Sequence, residues 1–443
     1  MQDRPVGVGL LGLGTIGTGV ARLLASNASV IAQRLGFPLR LVRVADLDTV
    51  RDRGVDLAGI PFDDDARALV ADPQVEIVVE LIGGYEAARQ LILEALARGK
   101  HVVTANKALL ATHGKEIFEA ASRGRADVAF EASVGGGIPI LRSMREGLAA
   151  NRILSLHGIM NGTTNYVLSE MEETGEPVEA VVKRAQDLGY AEADPTFDIE
   201  GIDAAHKLTL LASMAFGAEL TYKEIPTEGI RELTPLDFES AREFGFRIKL
   251  LGIAKLLEDA GGTERIEARV HPTMIPADSL LAKVEGPMNA IAVHGDAVGP
   301  TLFYGAGAGE LPTASAVVAD LMEIAREIRR GSAGRVAPLS YLPHELRRKP
   351  LVPLGELHAR CYLVFTVLDR PGGLGKLASV LGEHGISIES VIQKGRGEEV
   401  AVPIVVLTHP AREEAVRKAL AVVDALPEVT APTRLIRIEE DLG

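Results

Sequence analysis

The sequence predicts an α/β protein: a doubly wound parallel sheet, then an α+β domain with a mostly antiparallel sheet, then a small βαββαβ domain. Three observations carry this. Apolar runs at Val6–Leu11, Leu39–Val44, Val75–Leu81, His101–Thr104 and Asp127–Glu131 alternate with helical patterns, the rhythm of a parallel sheet with crossover helices. A glycine-rich turn follows the first run directly. The last eighty or so residues read strand, helix, strand, strand, helix, strand, the split ferredoxin-like order.

Composition sets the outer limits. A chain of 443 residues is too long for one typical domain. Its 47% hydrophobic and 24% charged residues are those of a soluble globular protein. A formal charge of −14 argues against nucleic acid as a bulk partner. No uninterrupted apolar run is long enough to span a bilayer, so no membrane partner is expected. The N-terminal residues show no basic-then-apolar leader, and Cys361 stands alone, which rules out an internal disulfide and fits a reducing compartment. The expected location is cytoplasmic.

The first strand leads into Gly12-Leu13-Gly14-Thr15-Ile16-Gly17 and then into the helical pattern Thr18–Leu24. GxGxxG between a strand and a helix is the Rossmann-type dinucleotide turn. Its first glycine permits the turn, its second lets the backbone approach a pyrophosphate, and its third lets helix and strand pack closely. The second strand ends at Ala45-Asp46-Leu47-Asp48. Asp46 is placed to bind a ribose 2′-hydroxyl, while Arg43, Arg51 and Arg53 offer a 2′-phosphate a partner, so NAD and NADP both stay open. The separation exceeds the usual ~20 residues, so the first helix or its connection is extended. A helix over Tyr85–Arg98 closes at Gly99. The strand His101–Thr104 then delivers Thr104-Ala105-Asn106-Lys107 at a carboxyl strand end, where open α/β sheets bind ligands.

Glu131-Ala132-Ser133-Val134-Gly135-Gly136-Gly137-Ile138-Pro139 reads as a domain-crossing hinge, with glycines that leave carbonyls uncovered. Ile153–Met160 runs into Asn161-Gly162-Thr163-Thr164, where Thr163 or Thr164 can cap a helix over Tyr166–Glu172. Further strands are expected at Gly229–Ile230, Ala268–Pro276 and Asn289–His294. Tyr304–Glu310 is a second glycine loop that includes Gly309. Thr313 or Ser315 can cap the helix running on to Arg330. Four prolines and the cluster Arg347-Arg348-Lys349 mark residues 331–354 as a linker.

The densest chemistry lies in AQDLGYAEADPTFDIEGIDAAHK, Ala185–Lys207. Glu192, Asp194, Asp198, Glu200 and Asp203 precede a single lysine. The first half reads as an irregular loop and GIDAAHKLTLLASMAFG as a helix. Asp203 and Lys207 are four apart and share a helix face. One outcome is a surface ion pair. The other is a site in which the carboxylates hold an amino group and Lys207 moves a proton on a neighbouring oxygen. An ammonium titrating near ~10.4 needs burial or a second positive charge for that work.

This stretch resembles the homoserine dehydrogenase signature at Gly189-Tyr190-Ala191, Asp194-Pro195, Asp198-Ile199, Gly201, Asp203 and Lys207. TANK, Thr104–Lys107, matches the family too. The resemblance implies reduction of aspartate semialdehyde to homoserine with NADP or NAD. Lys207 and Lys107 would be catalytic, with Asp203 beside them. Glu192, Asp198 and the segment Asn161, Gly162 and Thr163 would face the substrate. It implies a sodium ion on the carbonyls of Glu131, Val134, Gly136 and Ile138. Gly309 and its loop would be a backbone lid over the cofactor. DRPGGLGKLASVLGEHGISIESVIQKG resembles an ACT domain, implying an amino-acid effector near Asp369, Pro371 and Gly372, and a homodimer or homotetramer. The expected domains are 1–135 for dinucleotide binding, 136–305 for substrate and dimerisation, 306–335 for a helix returning to the first domain, 336–357 for the linker and 358–443 for the ACT domain. Two other functions fit the residues: another semialdehyde or oxo-acid dehydrogenase of this fold, and a cofactor- and amino-acid-binding sensor without turnover.

Overall fold

The computed structural model describes residues 4–259, 261–393 and 401–442. They form two compact units. The first holds the chain up to Leu156 with Asp203–Ile225 and Met288–Lys349; the second holds His157–Ile202, Pro226–Pro287 and the chain from Pro350 onward.

In the first unit six strands make one sheet in the order Phe62–Asp63, Leu39–Ala45, Val6–Leu11, Ile77–Glu80, His101–Thr104 and Val128–Ala129. Every neighbouring pair is parallel. The order reverses beside Val6–Leu11, the switch point at which such sheets bind dinucleotides. All six residues of that strand are buried, because helices cover both faces of a parallel sheet. One covering helix is Thr15–Ser26, and Glu310–Arg330 joins it over the same core. They meet at Gly19, where an added Cβ would lie 2.8 Å from Glu310 Cγ and 3.2 Å from Ala314 Cβ. The long spacing to Asp46 is explained by a second helix, Ala28–Leu35, ending at Gly36 with φ +84°. An unexpected helix, Ala66–Ala71, is short and is capped by Asp65, which accepts from the Ala68 N–H at 2.9 Å.

Three local expectations change in this unit. Lys107 is not in a polar loop; it opens the helix Lys107–Gly124, capped by Asn106, which accepts from the Leu109 N–H at 3.1 Å. The fifth expected strand stops at Ala129 and turns through Glu131–Ser133, because the buried Glu131 carboxylate is used to accept the Leu141 and Arg142 N–H groups at 2.8 Å each. The helix Glu310–Arg330 starts at Gly309, with φ +113° and no side-chain cap, so neither Thr313 nor Ser315 caps it. The two glycine-rich loops lie against each other. Gly137 N–H donates to Ala306 O at 3.0 Å, and a Cβ on Gly136 would lie 2.3 Å from Gly307 O. The hairpin Met288–Gly295 and Gly299–Ala306 carries the second loop.

In the second unit the long strand Phe246–Glu258, not anticipated because FRIKLLGIAKLLE has no strict alternation, pairs antiparallel with Glu264–Pro276. Gly229–Ile230 is not a strand; only Thr227 bridges to Val270. Asn161 rather than Thr163 or Thr164 caps the helix Gly162–Thr174, accepting from the Thr164 N–H at 2.8 Å. Asp198 lies on a short helix, Thr196–Ile199, within what the sequence suggests is loop.

The C-terminal domain has the expected βαββαβ order: His358–Leu368, Gly373–Glu383, Ile388–Gln393, Ala401–Thr408, Glu413–Val423 and Val429–Ile438. It has its own core around Leu363, Phe365, Leu381, Ile404 and Val416. The last two residues of its sequence motif, Lys394 and Gly395, lie outside the described residues. Its final strand pairs parallel with Glu264–Pro276 through Arg437 with Thr273 and Ile438 with Met274, so one mixed sheet runs through this unit. Asp237, fully buried in the capping box of Pro235–Glu243, is held by Arg434 Nη2 at 3.0 Å and Tyr362 Oη at 3.1 Å. No helix among the described residues is long and apolar enough to cross a membrane.

The contact between the glycine loops gives a stability test. Gly136 has φ +59° and backbone, not a flexible side chain, where its Cβ would go. Gly136→Ala should lower the free energy of unfolding by about 1–3 kcal/mol, measured by urea titration with an unchanged m-value.

Candidate active site

The dinucleotide turn is shaped for an anion. Gly12 has φ +92°, and a Cβ on Gly17 would lie 2.0 Å from Gly12 O, so helix and turn touch there. At Gly14 nothing lies within 4 Å of the Cβ position, which leaves the first turn of Thr15–Ser26 open to a phosphate. Asp46 Oδ2 accepts the Leu13 N–H at 2.5 Å, and Arg53 Nε donates to Leu13 O at 2.6 Å. The acidic residue and an arginine therefore brace the same turn, with Arg53 Nη2 3.4 Å from Asp46 Oδ1. Arg43 is drawn away to Asp63 at 2.6 Å. Thr104 donates to Glu80 at 2.6 Å. Glu80 itself, which sequence reasoning missed, is wholly buried at its strand tip and accepts the Ile82 and Gly83 N–H groups. Burial pushes its carboxyl above the ordinary range against the pull of those hydrogen bonds.

The helix Ile202–Phe216 brings the lysines together. It is buried on every side from Asp203 to Phe216, so Asp203 and Lys207 are not a surface pair. Lys207 Nζ is 2.8 Å from Asp203 Oδ2, and Lys107 Nζ is 2.9 Å from Asp203 Oδ1. Each carboxylate oxygen faces one ammonium. Lys107 reaches it from the first turn of its own helix and stays about a third exposed, at 32%, while Lys207 is 9% exposed along its side chain. One negative charge thus holds two positive ones about a carboxylate's width apart, with a net positive charge left over. His206, next on the helix, is edge-on to Tyr222 at 4.2 Å between ring centroids. Burial lowers its pKa to about 4, and Lys107 adds to that while Asp203 opposes it.

In the second unit Asn161 Nδ2 donates to Asp198 Oδ1 at 2.7 Å, so these two expected substrate residues meet. Thr163 Oγ1 donates to Tyr190 O at 2.7 Å and ties the segment to the carboxylate-rich stretch. Gly162 follows the cap as the first helical residue. Glu192 is exposed, and its carbonyl accepts from Gln186 Nε2 at 3.0 Å.

The four expected carbonyl donors lie within the first glycine loop. The Glu131 carbonyl accepts the Val134 N–H at 3.4 Å and the Ile138 carbonyl accepts the Ile140 N–H at 2.8 Å. A carbonyl has a second lone pair, so both retain capacity for a hard cation. Gly136 brings the chain where a side chain would strike Gly307. No group of three or more acidic, histidine or cysteine side chains suited to a metal occurs among the described residues. Asp320 was missed: its Oδ2 accepts the Glu131 N–H at 2.9 Å, and burial with the Glu131 charge pushes its carboxyl up to about 7. Its place in the apolar VVADLM run was the available signal. Separately, Asp369, Pro371 and Gly372 line a cavity of about 450 Å³ with Val367, Gln393 and Ile404, where strand meets helix in the C-terminal domain.

A doubly wound sheet with a dinucleotide turn, and a lysine at its strand ends paired through a carboxylate with a second lysine, define a nicotinamide-dependent oxidoreductase. Comparison with known proteins is more specific. Residues 12–131 match the family model for the NAD-binding domain of homoserine dehydrogenase, 139–322 that for homoserine dehydrogenase, and 362–426 that for the ACT domain. The chain is 48% identical over 439 residues to homoserine dehydrogenase of Pseudomonas aeruginosa, covering 99% of each chain. It is 47% identical over 436 residues to that of Neisseria gonorrhoeae, covering 98% of this chain and 99% of the relative. The crystal structure of a homoserine dehydrogenase from Thiobacillus denitrificans superposes with a TM-score of 0.93 at 48% identity, covering 100% of this chain and 99% of that one. A hyperthermophilic archaeal homoserine dehydrogenase in complex with NADPH matches 72% of this chain and 98% of its own at 25% identity, with a TM-score of 0.61. The chain belongs to the homoserine dehydrogenase family and is an oxidoreductase with a C-terminal ACT domain.

His206 supplies a pH test. Its folded pKa, about 4, lies below the unfolded value near ~6.5, so the unfolded chain binds more protons between them. Its contribution to stability is present above ~6.5 and is lost as pH falls toward 4. The melting temperature of the wild type should therefore drop more between pH 7.5 and pH 5 than that of His206→Gln, by differential scanning calorimetry.

Proposed function

We propose that this homoserine dehydrogenase reduces L-aspartate 4-semialdehyde to L-homoserine with a reduced nicotinamide cofactor, and that Lys207 and Lys107 stabilise and protonate the oxygen that receives the negative charge. A hydride adds to the carbonyl carbon, the carbonyl π pair moves to oxygen, and an ammonium gives that oxygen its proton. The observation that carries this reading is the pair of ammonium groups on the two oxygens of Asp203, at 2.9 and 2.8 Å. Asp203 orients both donors and lies too deep to be a substrate ligand of choice. Asn161 and Asp198, hydrogen-bonded to each other, with Gly162, Thr163 and Glu192, form the set proposed to take the amino acid end of the substrate.

The residues of the glycine turn would hold the cofactor diphosphate, and the cofactor supplies the hydride. Thr104, Lys107 and Gly309 complete its proposed environment. Asp46 suits a ribose hydroxyl and Arg53 a 2′-phosphate. The NADPH complex of the archaeal relative favours NADPH for this chain. The carbonyls of Glu131, Val134, Gly136 and Ile138 are proposed to bind sodium, supported by their hard oxygen donors and the glycine cradle. The ACT cavity is proposed to take an amino acid, threonine first by pathway logic. A cytoplasmic homodimer or homotetramer completes the proposal.

Lys207→Ala should lower kcat by about 100-fold or more, the scale of one lost proton donor, while NADPH affinity from fluorescence titration changes less than about threefold. Wild-type turnover in that variant would remove the assignment.

A further inference from the structure

The C-terminal domain reaches the proposed substrate residues through one buried arginine. Arg437 is 1% exposed and lies near the end of the last strand, Val429–Ile438. Its guanidinium is forked on both sides. Nε and Nη2 donate to Glu413 Oε2 and Oε1 at 2.9 and 2.6 Å; Nη1 and Nη2 donate to Glu228 Oε2 and Oε1 at 2.8 and 3.0 Å. Glu413 belongs to the same domain, at the start of the helix Glu413–Val423. Glu228 does not; it precedes Gly229 in the segment beside the short helix Thr196–Ile199.

That segment is packed against the helix without slack. A Cβ on Gly229 would lie 2.4 Å from Ile199 O and 2.7 Å from Glu200 Cα. Ile230 N–H donates to Ile199 O at 2.9 Å, and Glu228 N–H donates to Val270 O at 2.8 Å. Asp198 is the next residue back from Ile199, and its carboxylate is the one that takes the Asn161 amide. At its other end the last strand reaches the effector cavity: Val429 is opposite Val367, and Leu368 N–H donates to Glu428 O at 2.8 Å. Val367 and Leu368 line that cavity. Nine steps of ~3.3 Å make the strand a rod roughly 30 Å long.

We propose that Glu228 is a positioning residue: gripped by Arg437, it sets the Thr196–Ile199 turn and so the place of Asp198, and through it an amino acid in the ACT cavity alters substrate affinity. This rests on the reading of Asp198 as a substrate residue. The bidentate fork makes the contact directional as well as strong, so a small displacement of the strand is carried to the carboxylate.

Steady-state kinetics on the full chain test it with Glu228→Gln, Arg437→Lys and Asp198→Ala, each with thermal melts. Glu228→Gln keeps the size of the side chain and leaves Arg437 paired with Glu413. It should raise KM for aspartate semialdehyde about tenfold, the scale of one lost charged hydrogen bond, with KM for NADPH unchanged. Arg437→Lys should act the same way and less strongly. A purely structural role would lower the melting temperature and leave the two KM values in their wild-type ratio, which overturns the proposal. If Asp198→Ala raises KM for the semialdehyde and Glu228→Gln does not, the positioning role alone fails; if Asp198→Ala leaves it unchanged, the substrate assignment fails first. With threonine as probe, inhibition in the wild type that weakens in Glu228→Gln while the calorimetric Kd for threonine holds supports the coupling. Equal inhibition in both, or none in the wild type, overturns it.

Discussion

Two ammonium groups sharing one buried carboxylate are the constraint that the first unit is built to satisfy. Burying an ion pair costs free energy that the Coulomb attraction recovers only with good geometry. Asp203 meets that condition with one lysine on each oxygen, at 2.8 and 2.9 Å. The arrangement needs the helix Ile202–Phe216 to be enclosed and the helix Lys107–Gly124 to start at a sheet edge, and the Asn106 cap ensures the second. The surplus positive charge is what an oxygen gaining negative charge would meet.

The remainder of the molecule can be understood as scaffolding of different stiffness around that point. The parallel sheet and its covering helices are rigid, and the dinucleotide turn is braced by Asp46 and Arg53 before any ligand arrives. The two glycine loops touch so closely that neither tolerates a side chain at Gly136 or Gly307. In the second unit the sheet continues from Phe246–Glu258 into the ACT domain, and buried charges close the joint: Arg437 between Glu228 and Glu413, and Asp237 under Arg434 and Tyr362. A domain attached only for association would not need its last strand hydrogen-bonded into a substrate-side sheet.

Much of this was legible in the sequence, for physical reasons that differ by region. Parallel strands announce themselves as continuous apolar runs, and the glycine turn by its neighbours. Asp203 and Lys207 were legible through helical spacing, and Lys107 through its position after a strand. Their burial was not, since an i,i+4 pair looks the same on a surface and in a core. Glu80, Asp320 and Arg437 were missed because each is one charge inside an apolar stretch, and its partner is far away in the chain. Phe246–Glu258 was missed because a strand buried over most of its length loses the alternation that marks half-buried ones. The caps were misplaced where a neighbour competed: Asn161 outdoes Thr163 and Thr164, and Gly309 needs no side chain at all.

The central claim is that the two lysines work as one device through Asp203. The most direct measurement is the single-turnover rate of semialdehyde reduction in Lys107→Ala, Lys207→Ala and the double variant, at saturating NADPH. Groups acting as a unit are strongly non-additive. The account requires the double variant to be about as slow as the slower single one. Losses that multiply, so that the double variant falls by the product of the two, would mean that the two ammonium groups act separately and would contradict it.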